Sequence, residues 1–177
     1  AIIETLELLD TIPAGRESAS AYHQSIFQLL NFIFDWCLES FEMEYKMDEG
    51  RGFIDIICNN FATQGLFFEK KLELDARSIP IECKNYNHDL TNTEYNQIVD
   101  RMGRKTSRLG FICCRAIDNS ARSGKHQTRR WLRSDNMILV LDDETIKRWT
   151  MLRLRRNFSQ IETELRNLIR EVEYASH

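Results

Sequence analysis

From Ser18 to Leu38 the apolar side chains return every three or four residues: Tyr22, Ile26, Leu29, Leu30, Ile33 and Cys37. That period is helical and marks one buried face. Ser18 and Ser20 are the available N-caps. Residues 41–46 (FEMEYK) alternate apolar and charged, the period of a half-buried strand. Asp48 to Gly52 reads as a turn, and Phe53 to Cys58 (FIDIIC) as a short β-branched strand closed by Asn59 and Asn60. Residues 61–78 fit either a helix or a strand. Pro80 to Lys84 (PIECK) is a further strand, followed by a polar loop over 85–92. Thr91 or Thr93 opens a helix that runs to about Lys105, and Leu109 to Cys114 (LGFICC) is a buried strand.

Residues 121–133 form a basic helix or a half-ordered arm. Met137 to Leu141 is a buried strand, and Asp142 or Asp143 caps the helix that begins DETIKRW. In the last segment, 155–173, Phe158, Ile161, Leu165, Leu168 and Val172 make a short heptad-like seam. It packs on its own domain, or serves as a dimer seam or a tether to a further domain. An antiparallel opening followed by strand–helix–strand crossovers predicts an α/β fold, a mixed sheet with helices on both faces.

The length of 177 residues suits one domain, read as 1–150, with 151–177 as a C-terminal helix. Seven glycines and two prolines exclude low-complexity and collagen-like classes. The longest apolar stretch, Ile26 to Leu38, is interrupted by Gln28, Asn31 and Asp35, so no membrane span is expected. No signal segment opens the chain. A chain starting at Ala1 has lost an initiator Met or is part of something longer. Five cysteines with no Cys-x-x-Cys spacing read as buried free thiols in a reducing cytoplasm.

Asp55 is the one charge in its apolar strand, and a buried charge needs compensation. Side chains alternate along PIECK, so Glu82 and Lys84 share one face while Ile81 and Cys83 share the other. Pairing of the two strands sets Asp55 beside Glu82. Two carboxylates at one sheet edge suit Mg²⁺, which takes one or two carboxylates plus waters and substrate phosphates. The Cys83 main-chain carbonyl is a further oxygen ligand. Lys84 then lies near metal-bound water and a phosphate oxygen, where it orients the nucleophile and steadies developing charge. That set suits metal-assisted phosphodiester hydrolysis. The same residues also allow a plainer arrangement, with Asp55 ion-paired to Lys84 and Glu82 solvated.

Asp55 followed by Glu82-Cys83-Lys84, in the phrase IECKNY, resembles the PD-(D/E)XK, or restriction-endonuclease-like, superfamily, and Mrr-like domains within it. The order of helix 18–38, strands 41–46, 53–58 and 80–84, helix 93–105 and strand 109–114 is similar to the αβββαβ core of that family. The resemblance covers roughly residues 18–114 and implies a nuclease domain over 1–150, with Asp55 and Glu82 as metal ligands and Lys84 as the catalytic lysine. It further implies Mg²⁺ (or Mn²⁺) as cofactor, DNA as substrate with RNA left open, and a restriction or phage-defence role. Ile54 stands where many members have proline. His23 stands where many carry a first-helix glutamate. Gln97 matches a glutamine found near the site in Mrr-like members, with Arg101 one helical turn later.

Charge is divided unevenly. Residues 1–100 hold 7 Lys/Arg against 18 Asp/Glu, and residues 101–177 hold 17 against 9. A basic second half points to an anionic partner, nucleic acid first. Gln97, Arg101, Arg104 and Lys105 are the expected nucleic-acid contacts. Arg122, Lys125, Arg129, Arg130 and Arg133 offer further phosphate partners. Two other classes fit the same sequence. One is an idle nuclease-like module that binds nucleic acid or protein. The other is an assembly domain built on the C-terminal seam, a homodimer in the simplest case.

Overall fold

The computed structural model describes residues 1–47 and 52–174. Among them five strands form one sheet in chain order: β1 (Leu38–Lys46), β2 (Phe53–Asn60), β3 (Ser78–Lys84), β4 (Leu109–Cys114) and β5 (Met137–Asp142). β1–β2 and β2–β3 pair antiparallel; β3–β4 and β4–β5 pair parallel. The helices are α1 (Ile2–Thr11), α2 (Ala19–Phe34), α3 (Gly65–Glu73), α4 (Asn92–Val99), α5 (Ser120–Ser134), α6 (Asp143–Leu154) and α7 (Phe158–Tyr174). The fold is α/β with a mixed open sheet flanked by helices. No helix among the described residues is long and apolar enough to cross a membrane.

Strand alternation divides the interior in two. Ile56, Ile81, Cys83, Phe111 and Leu139 face α2, α6 and α7, joined by Ile26, Leu29, Ile33, Trp149, Ile161 and Leu165. Ile112, Cys114, Ile138 and Val140 face the other way, under Tyr95 and Ile98 of α4. All five cysteines are free and buried. α4 sits close to the sheet at Gly110. A Cβ there would stand 2.9 Å from Ile98 Cδ1 and 3.0 Å from Met102 Sδ.

Several element ends differ from expectation. The helix expected over 18–38 stops at Phe34, where the Cys37 N–H turns back to the Phe34 carbonyl and the Trp36 indole N–H donates to the Ile33 carbonyl. Ser18 makes no side-chain cap bond and Ser20 lies inside the helix; a 3-10 turn over Arg16–Ser18 leads in instead. β1 begins at Leu38 rather than 41. A bulge between Glu39 and Glu42, with Ser40 at φ 53°, hides the alternation there and blunts a free sheet edge.

The ambiguous 61–78 run contains helix α3. The helix expected to reach Lys105 ends at Val99, and the chain turns through a Gly103–Ser107 bridge. Thr91 caps α4 in a reciprocal box with Glu94, a motif that stabilises a helix start by about 1 kcal/mol. Asp142 caps α6 by accepting from the Thr145 N–H. The 121–133 region is helical throughout. Residues 48–51 of the expected turn lie outside the described residues. α1 was not anticipated; Ile2, Leu6 and Leu9 pack it onto the core. In α7 the buried stripe is Ile161, Leu165, Ile169 and Val172, packed on the same core.

Candidate active site at the end of the β2–β3 ladder

The β2–β3 ladder pairs Ile56 with Ile81, and Asp55 lies one residue beyond. There the Asp55 side chain takes over from main chain: Oδ2 accepts the Cys83 N–H at 2.8 Å. The carboxylate compensates its burial by occupying a strand donor. Glu82 lies on the neighbouring strand, 2% exposed. Its Oε2 is 3.6 Å from Lys84 Nζ, and Arg101 Nε stands 2.8 Å from Oε1. The Arg101 Nε–H points to the Phe53 carbonyl at 3.1 Å. Glu82 Oε1 therefore has a cation beside it but no hydrogen bond.

Burial, then the neighbouring Asp55 charge, pushes the Glu82 pKa up to about 7; Lys84 and Arg101 pull the other way. Lys84 Nζ donates to Gln97 Oε1 at 2.7 Å. Arg101 also donates to the Gln97 carbonyl at 2.9 Å. His23 on α2 brings Nδ1 to 4.0 Å from Asp55 Oδ1. Asp55, Cys83, Lys84 and His23 border a cleft of about 330 Å³ with Gly15, Arg16, Ala19, Asn85 and Tyr86.

The plainer arrangement of an Asp55–Lys84 pair with a solvated Glu82 is not found: Glu82 is buried, and it is Glu82 that lies beside Lys84. The structure brings Asp55, Glu82, Lys84, Gln97 and Arg101 together. Arg104 and Lys105 it leaves exposed on the turn after α4.

Two cleft residues had escaped the sequence reading. Asn85 donates from Nδ2 to the Pro13 and Gly15 carbonyls and so pins the 13–15 loop to the end of β3; its Oδ1 has no partner. Arg16 stands exposed at the cleft's border. Asn85 directly follows the E-x-K tripeptide, which was a usable signal; Arg16 had none.

Among the described residues no three His, Cys, Asp or Glu side chains converge as a closed cage. Mg²⁺ does not require one. Asp55 and the Cys83 main chain border open space for water and phosphate; Glu82 lies behind that cleft against Arg101 and would join an ion there by exchanging Arg101 for it. The unbonded Glu82 Oε1 is the acceptor that such an ion would satisfy. The donor set fits.

No family model, curated protein or solved structure matches the chain. The site's own residues carry the functional reading.

Proposed function

We propose that the chain is a Mg²⁺-dependent endodeoxyribonuclease of the PD-(D/E)XK type, with Mn²⁺ as an effective substitute. The observation that carries this reading is the meeting of Asp55, Glu82 and Lys84 where the β2–β3 ladder ends, beside an open cleft. The order α2-β1-β2-α3-β3-α4-β4 supports it, because with α3 as an insertion between β2 and β3 it follows the αβββαβ order of that superfamily. The resemblance further favours a restriction or phage-defence role, and the five free, buried cysteines favour a reducing cytoplasm.

Asp55 and Glu82 are the residues to hold the ion, with the Cys83 carbonyl as a further oxygen. When bound, the ion lowers the pKa of its water and polarises the phosphoryl oxygen. Asp55 keeps one oxygen on the Cys83 N–H, which fixes its carboxylate plane. Lys84 orients the attacking water and stabilises the charge that grows on the phosphate. Gln97 holds the Lys84 ammonium in place through its carbonyl oxygen. Arg101 offsets the buried Glu82 charge and ties α4 to β2.

A second reading, an idle nuclease-like binding module, is favoured by one contact. The Arg101 guanidinium already stands against Glu82 Oε1, where a metal ion would compete with it. Cleavage of supercoiled plasmid with Mg²⁺, Mn²⁺ or EDTA, by the parent and by Lys84→Ala, separates the two. The nuclease reading expects cutting with either metal, none in EDTA, and loss in the variant. Equal cutting by Lys84→Ala sinks it. No cutting by either protein, with Mn²⁺ binding intact, moves the assignment to the idle module.

A further inference from the structure

The basic second half of the chain is used in two different ways. Lys147, Arg148, Arg153 and Arg166 are ion-paired to Asp10, Glu164, Asp35 and Glu69. Along α5, by contrast, Arg122, Lys125, Arg129 and Arg133 are exposed and have no acidic partner among the described residues. They recur at three- and four-residue spacing and so form one stripe.

Beside that stripe, a cleft of about 310 Å³ opens between α4 and α5, lined by Asn92, Asn96, Arg129, Arg130, Arg133 and Ser134. Among the described residues no carboxylate lines it. Arg130 is the built part: it is 9% exposed, stands 5.2 Å over the Tyr95 ring, and donates to Asn96 Oδ1 (2.8 Å) and Asn92 Oδ1 (3.3 Å). Both asparagine oxygens are thereby committed, which leaves their amide N–H groups as donors. Burial, with Arg129 nearby, lowers the Arg130 pKa, a crowding of positive charge that an anion would relieve.

We infer that the α4–α5 cleft and the α5 stripe bind the phosphate backbone of nucleic acid. The inference rests on the nuclease reading for its partner and extends it with a docking surface. α4 joins the two sites: Gln97 reaches Lys84, and the adjacent Asn96 holds Arg130. Neighbouring residues of one helix thus hold both sites, and a strand carrying one charge per about 3.4 Å of axis can run from one to the other. A row of cations over three turns suits a polyanion better than one small phosphate. Tyr95 is buried beneath Arg130 and stacked on His126, so it offers no open face to a free base.

The test is fluorescence anisotropy of a short labelled duplex in EDTA, where no turnover occurs. Binding is thus read independently of the Lys84→Ala cleavage result, and either can fail alone. Arg129→Ala/Arg133→Ala changes exposed residues and should weaken binding about tenfold or more, and lower the salt slope by about 2. Arg155→Ala/Arg156→Ala, an equal charge change at the exposed α6–α7 turn, should leave affinity near the parent's. Equal losses in both pairs, or none in the α5 pair, overturn the inference. So does an α5 pair that abolishes binding to phosphatidylserine vesicles while duplex affinity stays unchanged; Leu132, 73% exposed on the same helix, makes that arm necessary. Displacement of inorganic phosphate alone, with duplex affinity unchanged, also overturns it.

Discussion

Among the described residues two buried carboxylates meet arginines, and they are wired differently. Asp143, at the start of α6, has partners on both oxygens: the Tyr22 hydroxyl at 3.0 Å and Arg115 Nε at 3.1 Å. Arg115 goes on to the Leu9 and Ile12 carbonyls, which ties α1 to the body. Glu82 is more deeply buried, has a like charge beside it, and keeps one oxygen without a hydrogen bond. Burial is the largest cause in both cases, raising Asp143 to about 6 and Glu82 to about 7. Each has an arginine Nε against one oxygen as an ion pair; the difference is that Asp143 also accepts the Tyr22 hydroxyl, whereas Glu82 has a second carboxylate, Asp55, beside it. A carboxylate satisfied by protein donors is a staple. One left with spare acceptor capacity beside a cleft can take a ligand.

The sharpest break between the two clusters is kinetic. Lys84→Ala should slow cleavage by about 10²–10⁴-fold, the range for lost proton-transfer groups, with a smaller loss of stability than Asp143→Ala because Arg101 still faces Glu82. Asp143→Ala should do the reverse. It should destabilise the fold by about 3–5 kcal/mol, the cost of orphaning a buried charge. Hydrogen exchange in residues 2–11 should rise, and cleavage below the melting point should persist. An Asp143→Ala protein with unchanged melting would remove the contrast.

Next comes pH. The folded chain holds the Glu82 proton more tightly than the unfolded chain, so without divalent cation its contribution is lost as pH rises from about 4.5 to 7. Asp143 acts with the same sign between 3.8 and about 6, so the parent alone does not isolate either group. Glu82→Gln does. In EDTA it should be more stable than the parent at pH 8 and equal to it near pH 4, by thermal melting. It should also lose Mn²⁺ binding, and a variant that binds Mn²⁺ like the parent would contradict the assigned ligand. The smallest expected effect is Gln97→Ala. Losing a hydrogen bond to a charged group costs about 1.5–3 kcal/mol, here expected mainly as slower cleavage.

What the sequence made legible follows from physics that acts locally. The β-branched run 53–58, the apolar run 109–114 and the alternation in PIECK are dictated by neighbours within a few residues, and each is a strand in the structure. Asp55 stood out because a charge inside FIDIIC needs compensation from somewhere. What supplies that compensation is tertiary: the Cys83 N–H becomes available only because the ladder ends at Ile56–Ile81. Arg101 read as a surface phosphate contact, since nothing near it in sequence announces Glu82. α1 escaped for a related reason. Its anchor is Arg115, more than a hundred residues away. The limits of α2 and β1 were misplaced because turns and bulges suspend the periods that mark elements.

Gly110 contributes no side chain, yet it sets a clearance. α4 rests on β4 where a methyl group would meet Ile98 and Met102, and Gln97 reaches Lys84 from that helix. The sheet thus acts as a gauge block whose thickness at one point decides whether an amide and an ammonium meet. Gly110→Ala leaves every polar group of the site in the sequence and should press on it through the ends of the Ile98 and Met102 side chains, read as a change in cleavage rate. The tolerance of the candidate active site is set from behind, by an atom that is not there.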